Sequence, residues 1–266
     1  MSELPLGIDP RITSLITKLS ELKSRDVEAS EAFAFSNDEG VGKLIPSIKD
    51  RLQHSKVAQK AGLFVGHGSL WSLGKELPQL DLLIRMDMNS AQIVADREWE
   101  NVIDQASGVE EILARLSERD RRLAEKEMIS YGEYHYLASD EQLQRTQYLL
   151  RRRNIAFLNG NLLDGHFMTG IGDILRNKGT AIVFSDMSNA MEWMGGQRTQ
   201  ETQETAASRL ALLPFADESV FLFGVTMGKA GRAPIKADIV TGLDRYLRQS
   251  SRTPSLGEML RQTREQ

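Results

Sequence analysis

Between residues 62 and 225, short apolar runs alternate with segments of helical period, and few folds accommodate that alternation. Leu63-Phe64-Val65 is a strand-like run closed by Gly66-His67-Gly68-Ser69. A helix is expected from Leu70 to Leu77, ahead of Pro78, and Leu82-Leu83-Ile84-Arg85-Met86 forms a second run ending at Asp87. Three further strand candidates follow: Ile155-Ala156-Phe157-Leu158, Thr180-Ala181-Ile182-Val183-Phe184 and Val220-Phe221-Leu222-Phe223-Gly224-Val225. Strand, helix, strand in that order calls for a parallel sheet, because parallel neighbours need a crossover. Runs this apolar are expected in a sheet covered on both faces. The expected fold is therefore α/β: a Rossmann-like, doubly wound, mostly parallel sheet with an N-terminal helical region and a helical insertion.

The helical region occupies residues 1–61. Asp9-Pro10 has the form of an N-cap followed by proline at the first helical position. Ile12, Leu15, Ile16, Leu19 and Leu22 then recur at helical spacing, as do Leu44, Ile45, Ile48 and Leu52. The sheet domain spans 62–266, with the insertion at about 90–154. In it, Val109, Ile112, Leu113, Leu116 and Leu123 mark an apolar stripe among charges of both signs, the pattern of a solvated helix face. A helix from about Ser139 to Arg153 ends in three arginines that complement its dipole. Further helices are expected over Ala206 to Leu213, from an Asp238 cap through Ile239, Val240, Leu243, Tyr246 and Leu247, and after Thr253-Pro254.

Composition removes several kinds of chemistry. The 266 residues include no cysteine, so disulfides, thiolate metal sites and a cysteine nucleophile are excluded. The 33 basic residues against 37 acidic ones leave a net charge of −4, without the global footprint of a nucleic-acid binder. No apolar run reaches membrane-spanning length. The start, Met1-Ser2-Glu3-Leu4-Pro5, lacks a secretory pattern, so a cytoplasmic protein is expected. His54, His67, His135 and His166 form no paired-histidine motif, and no metal is expected.

In open α/β sheets ligands bind beyond the carboxyl ends of the strands, so the residues there are the site candidates. Gly66 and Gly68 allow a tight turn and close approach of backbone to ligand, with His67 and Ser69 beside them. Ser69 also suits a helix cap. Asp87, followed by Met88, stands about 20 residues further on, where a carboxylate can accept both hydroxyls of a ribose. It also suits capping of a helix starting near Ser90. Asn161 and Asp164 follow the third run, where they are equally turn or cap residues. Asp186, Ser188 and Asn189 follow the fourth. In the insertion, Tyr131-Gly132-Glu133-Tyr134-His135-Tyr136 gathers three of the five tyrosines, with His135 and Tyr134 as candidate catalytic groups on the acceptor side. A histidine packed in an aromatic patch is the structural alternative.

The order of Val65-Gly66-His67-Gly68-Ser69, Asp87, Asn161-Leu162-Leu163-Asp164 and Ile182-Val183-Phe184-Ser185-Asp186 resembles class I S-adenosylmethionine-dependent methyltransferases over about residues 62–225. The resemblance implies that Gly66 and Gly68 carry the methionine part of the cofactor and Asp87 the ribose. It puts Asp164 at the adenine and Asp186 between methyl donor and acceptor. Phe64 stands where the family's first motif has an acid, and Leu70-Trp71-Ser72 supplies no third glycine. The implied function is an S-adenosylmethionine-dependent transferase, most simply a methyltransferase acting on a small molecule or peptide. Transfer of the aminocarboxypropyl arm is a related use of the same cofactor. A non-catalytic scaffold on the same sheet is the alternative. A nicotinamide oxidoreductase is a weaker one, since no lysine follows Tyr131, Tyr134 or Tyr136 by four residues. Asp38-Glu39-Gly40-Val41-Gly42-Lys43 lacks the spacing of a phosphate loop, and Lys229, Arg232 and Lys236 have the composition of a solvated basic stretch.

Overall fold

The computed structural model describes residues 9–24, 40–152, 154–188, 200–226 and 235–241. Helix α1 (Pro10–Ser20) starts as its sequence dictates, with the Asp9 side chain accepting from the Arg11 amide and proline in the first turn. Helix α2 (Gly40–Gln53) follows. The sheet then opens with β1 (Lys60–Phe64), α3 (His67–Ser72) and β2 (Leu82–Asp87). The insertion is four helices, α4 (Ser90–Gln105), α5 (Val109–Arg115), α6 (Glu118–Tyr131) and α7 (Asp140–Arg152). The chain returns through β3 (Ile155–Asn159), α8 (Gly165–Asn177), β4 (Ala181–Ser188), α9 (Gln200–Leu210), β5 (Phe215–Thr226) and β6 (Ile235–Thr241).

Strand order is β3-β2-β1-β4-β5-β6. Strands β1 to β5 pair parallel with one another, and β6 is antiparallel to β5. This is the doubly wound order, in which the winding reverses between β1 and β4. Alternate residues of each strand supply two separate cores. Leu63, Leu82, Ile84, Met86, Ala156, Leu158 and Ile182 pack under α1, α8 and α9. Phe64, Leu83, Ile155, Phe157 and Phe184 pack under α2 to α7. Covering both faces explains why these strands are apolar throughout. The insertion closes on itself through Gln147, whose buried amide donates to the carbonyls of Ile103 and Ala106 at the end of α4, where the regular helical ladder runs out.

Several sequence expectations are corrected. Residues 235–241 form a strand, not a helix capped by Asp238, because β5 offers an unpaired edge and Ile239, Val240 and Thr241 are β-branched. Strand β4 continues through Ser188, so Asp186 lies within the strand and not after it; register irregularities between Ile182 and Phe184 and between Asp186 and Ser188 accompany that extension. Helix α3 starts at His67 and ends at Ser72, followed by a 3-10 turn over Gly74–Glu76, so the single helix expected from Leu70 to Leu77 is two shorter pieces. The helix expected over Ala206 to Leu213 is α9, which begins earlier, at Gln200, and ends at Leu210. Asn189, Lys229, Arg232, Leu243, Tyr246, Leu247 and the segment after Thr253 lie outside the described residues.

Candidate ligand site at the strand ends

The carboxyl ends of β1, β2 and β4 meet where the winding reverses, and a buried arginine organises them. Arg85 is on the β2 face that turns toward the insertion, at a position the alternation reserves for an apolar residue, and it is 1% exposed. A guanidinium there must satisfy its donors internally. Its Nε donates to Asp96 of α4 (2.8 Å) and its NH2 to Asp87 (2.8 Å). Its NH1 donates to the carbonyls of Val65 and Met86. The Val65 amide in turn donates to the Asp186 carbonyl (2.9 Å), so the chain entering the glycine turn is tied to both neighbouring strands.

Asp87 is held from two sides. Oδ2 accepts from Arg85, and Oδ1 accepts from the Asn89 amide (2.9 Å). Asn89, not Asp87, caps α4. A carboxylate has about four acceptor positions, so Asp87, partly exposed, keeps capacity for two hydroxyls. The Asn159 amide donates to the carbonyls of Asp87 and Met88 (both 3.1 Å), joining the ends of β2 and β3.

In the glycine turn, Gly66 takes the N-cap position of α3, and Ser69 lies inside the helix, donating to the Gly66 carbonyl (2.8 Å). His67 Nδ1 meets Asp96 Oδ1 at 2.5 Å. Burial works against charge on that imidazole, but the Asp96 hydrogen bond and charge, with Glu127, outweigh it and raise the His67 pKa. Burial likewise pushes the Asp96 carboxyl up, and the His67, Arg85 and Gln92 contacts more than reverse this. Helix α6 brings two residues over the turn. Tyr131 stands beside Ser69, and burial, then Asp186 and Glu127, hold its phenol well above the ordinary value and therefore protonated. The Glu127 carboxylate lies directly against Gly68, in the space a side chain there would need.

The remaining candidates are placed as follows. Asp164 caps α8: Oδ1 accepts from the amides of His166 (3.0 Å) and Phe167 (3.1 Å), and Oδ2 from Ser24 (2.9 Å). Asn161 accepts from the Leu163 amide in the same turn. Asp186 is 2% exposed beside the β1 end, and the Ser188 side chain is not among the described groups. His135 is fully buried, its ring centroid 4.7 Å from that of Tyr136. Its Nδ1 accepts from the Leu137 amide (3.1 Å), and its Nε2 lies 3.6 Å from Glu127. Tyr134 is half-buried, and its carbonyl accepts from Lys75 (2.8 Å). The structure thus brings together Gly66, His67, Gly68, Ser69, Asp87 and Asp186, with His135 behind Glu127. Asp164 and Asn161 belong to the turn leading into α8.

Sequence reasoning missed Arg85, Asp96 and Glu127. A charge inside an apolar strand was the available signal for Arg85. Asp96 and Glu127 are acids on amphipathic helices, and nothing local distinguishes them from their neighbours. Among the described residues, no group of three or more His, Asp or Glu side chains is placed to hold a metal. No helix there is long and apolar enough to cross a membrane. A separate cavity of about 550 Å3, lined by residues including Ile16, Arg97, Asp104 and Phe157, involves none of the strand-end residues.

A family model described as "Domain of unknown function (DUF7790)" matches residues 80–252. No curated protein matches the sequence. Two solved structures of the rRNA methyltransferase aviRa from Streptomyces viridochromogenes are similar to this chain, each at 16% identity and a TM-score of 0.41. The likeness covers 88% of this chain and 95% of that one in the first case, and 90% and 96% in the second.

Proposed function

We propose that this chain, which belongs to the family of the domain of unknown function DUF7790, is a transferase that uses S-adenosylmethionine, most simply a methyltransferase acting on a small molecule or peptide. The observation that carries this reading is the position of Asp87. It ends the strand beside the Gly66–Ser69 turn, where the winding reverses, and Arg85 and the Asn89 amide orient it without exhausting its acceptor capacity. In this sheet class a carboxylate so placed is suited to ribose hydroxyls.

The residues present fit the cofactor in sign as well as place. S-adenosylmethionine carries a sulfonium and an ammonium, and carboxylates border the site: Asp87 at the strand end and, over the turn, Glu127. Bound there, it would supply an activated methyl group for in-line displacement. The protein's share of such a reaction is positioning and exclusion of water. Asp87 orients the ribose, and the backbone from Gly66 to Ser69 bounds the methionine arm. Tyr131, protonated, offers a neutral hydroxyl beside Asp186. The Asp96–His67 pair keeps the turn in register with α4. Helix α6 roofs the turn and limits its contact with water.

Thermal unfolding with S-adenosylmethionine, its demethylated product and NAD tests the reading. Ligand at one hundred times its Kd adds about 2.7 kcal/mol, which raises Tm by several degrees. The expected result is a rise with the first two and none with NAD, abolished in a folded Asp87→Ala variant. No rise with any of the three at millimolar concentration overturns the proposal in favour of a scaffold. Unchanged affinity in Asp87→Ala removes that residue from the site.

A further inference from the structure

Glu127 has no part in holding the fold that its contacts reveal. Its side chain is 13% exposed, and both carboxylate oxygens lie over Gly68, so closely that a methyl group on that glycine would overlap them. Among the described residues the carboxylate accepts no hydrogen bond. The nearest donor, His135 Nε2, is 3.6 Å away, beyond bonding distance. His135 is itself fully buried, and its Nε2 has no hydrogen-bond partner. Since its Nδ1 accepts from the Leu137 amide, the neutral ring carries its proton on that Nε2, facing Glu127. A largely desolvated carboxylate and an unpartnered buried imidazole thus converge on the glycine turn. The cations nearby are committed elsewhere: Arg85 to Asp96 and Asp87, His67 Nδ1 to Asp96. A carboxylate so desolvated calls for a cationic donor, and among the described residues none hydrogen-bonds to it, the His67 charge acting on it only through space.

We infer that Glu127 is a cation-binding residue, contributed by the insertion, which takes the ammonium group of an amino-acid moiety lying along the glycine turn. The inference rests on the S-adenosylmethionine reading and deepens it: the ligand is gripped at two ends, by Asp87 from the sheet and by Glu127 from α6. His135 is a positioning residue in this arrangement, since its Nε2–H needs only a small shift to hold one carboxylate oxygen while the other receives the ammonium.

The test compares S-adenosylhomocysteine with its desamino analogue, which keeps the carboxylate and adenosine but has hydrogen in place of the ammonium. Affinities are measured by titration calorimetry on the full chain and on Glu127→Gln. Wild-type protein is expected to prefer S-adenosylhomocysteine by about tenfold or more, as for a charge-assisted hydrogen bond. Glu127→Gln is expected to lose that preference by weakening S-adenosylhomocysteine alone, leaving the desamino analogue within about twofold. Equal wild-type affinity for the two compounds overturns the inference without any variant, should Glu127→Gln fail to fold. A preference that survives in a folded Glu127→Gln also overturns it, and in either case the cofactor reading stands. Failure of both compounds to bind wild-type protein overturns the cofactor reading and the inference together.

Discussion

Arg85 shows how one residue can decide the geometry of a site. It is as buried as the leucines around it, yet it binds two carboxylates and two backbone carbonyls, on β2, on α4 and just after β1. Breaking a pair of this kind leaves an uncompensated charge, which costs about 3–5 kcal/mol. Asp96→Asn is therefore expected to lower the unfolding free energy by that order, read as a lower urea midpoint at an unchanged m-value. The same pair sets a pH dependence. The folded-state pKa of His67 is raised, so its contribution to stability is complete below the unfolded imidazole value and is lost as pH rises through the folded one. Asp96, lowered, contributes above the unfolded carboxyl value and loses that contribution as pH falls through the folded one. Stability should thus decline on the alkaline side in step with the His67 imidazole signal followed by NMR. In Asp96→Asn, His67 should titrate at lower pH and the alkaline decline should weaken. A His67 titration unaffected by that substitution would show that another group sets it.

At the scale of elements, the insertion roofs the strand ends because α2 and α6 pack closely enough for backbone contact. A Cβ at Gly42 would come within 2.6 Å of the Tyr131 carbonyl oxygen, an atom fixed in α6 that cannot move aside cheaply. Gly42→Ala should therefore push α6 away from α2. A loss of about 1–3 kcal/mol is expected, as for an overpacked core, with weaker binding of S-adenosylhomocysteine because Glu127 and Tyr131 move with the helix. Chemical denaturation and calorimetry on the one variant check both, and an unchanged protein would show that α6 is not held there. Not all of these elements were legible in sequence. Helix α1 was, since its cap, its proline and its apolar stripe are local. Strand β6 was not: Asp238 ahead of apolar residues at helical spacing is a good helix start, and only the free edge of β5 makes those residues a strand.

For the whole molecule, the two cores on either side of the sheet raise the question of what each cover contributes. Ile12, Leu15 and Leu19 of α1 are buried in the same core as the inner residues of β2 and β3, and Ser24 reaches the Asp164 cap. Each such side chain is worth about 1.5–3 kcal/mol when fully buried. A chain lacking residues 1–24 should therefore unfold at a clearly lower denaturant concentration and bind an apolar dye; an unchanged midpoint would mean that α1 contributes little to that core. The alternation of strand and helix, the glycine turn after the first strand and the acid at the end of the second are written locally, in period and in turn chemistry, and the sequence by itself determined them. Local patterns carry no information about which distant residue arrives at a given spot. That Glu127 lies on Gly68, that Asp96 pairs with His67 and that Asp186 lies inside its strand were decided only in the tertiary structure, by packing between segments far apart in the chain. Asp164 illustrates the boundary: its place after the third strand and its cap of the His166 and Phe167 amides are local and readable from sequence, but its engagement with Ser24 is a matter of distant neighbours.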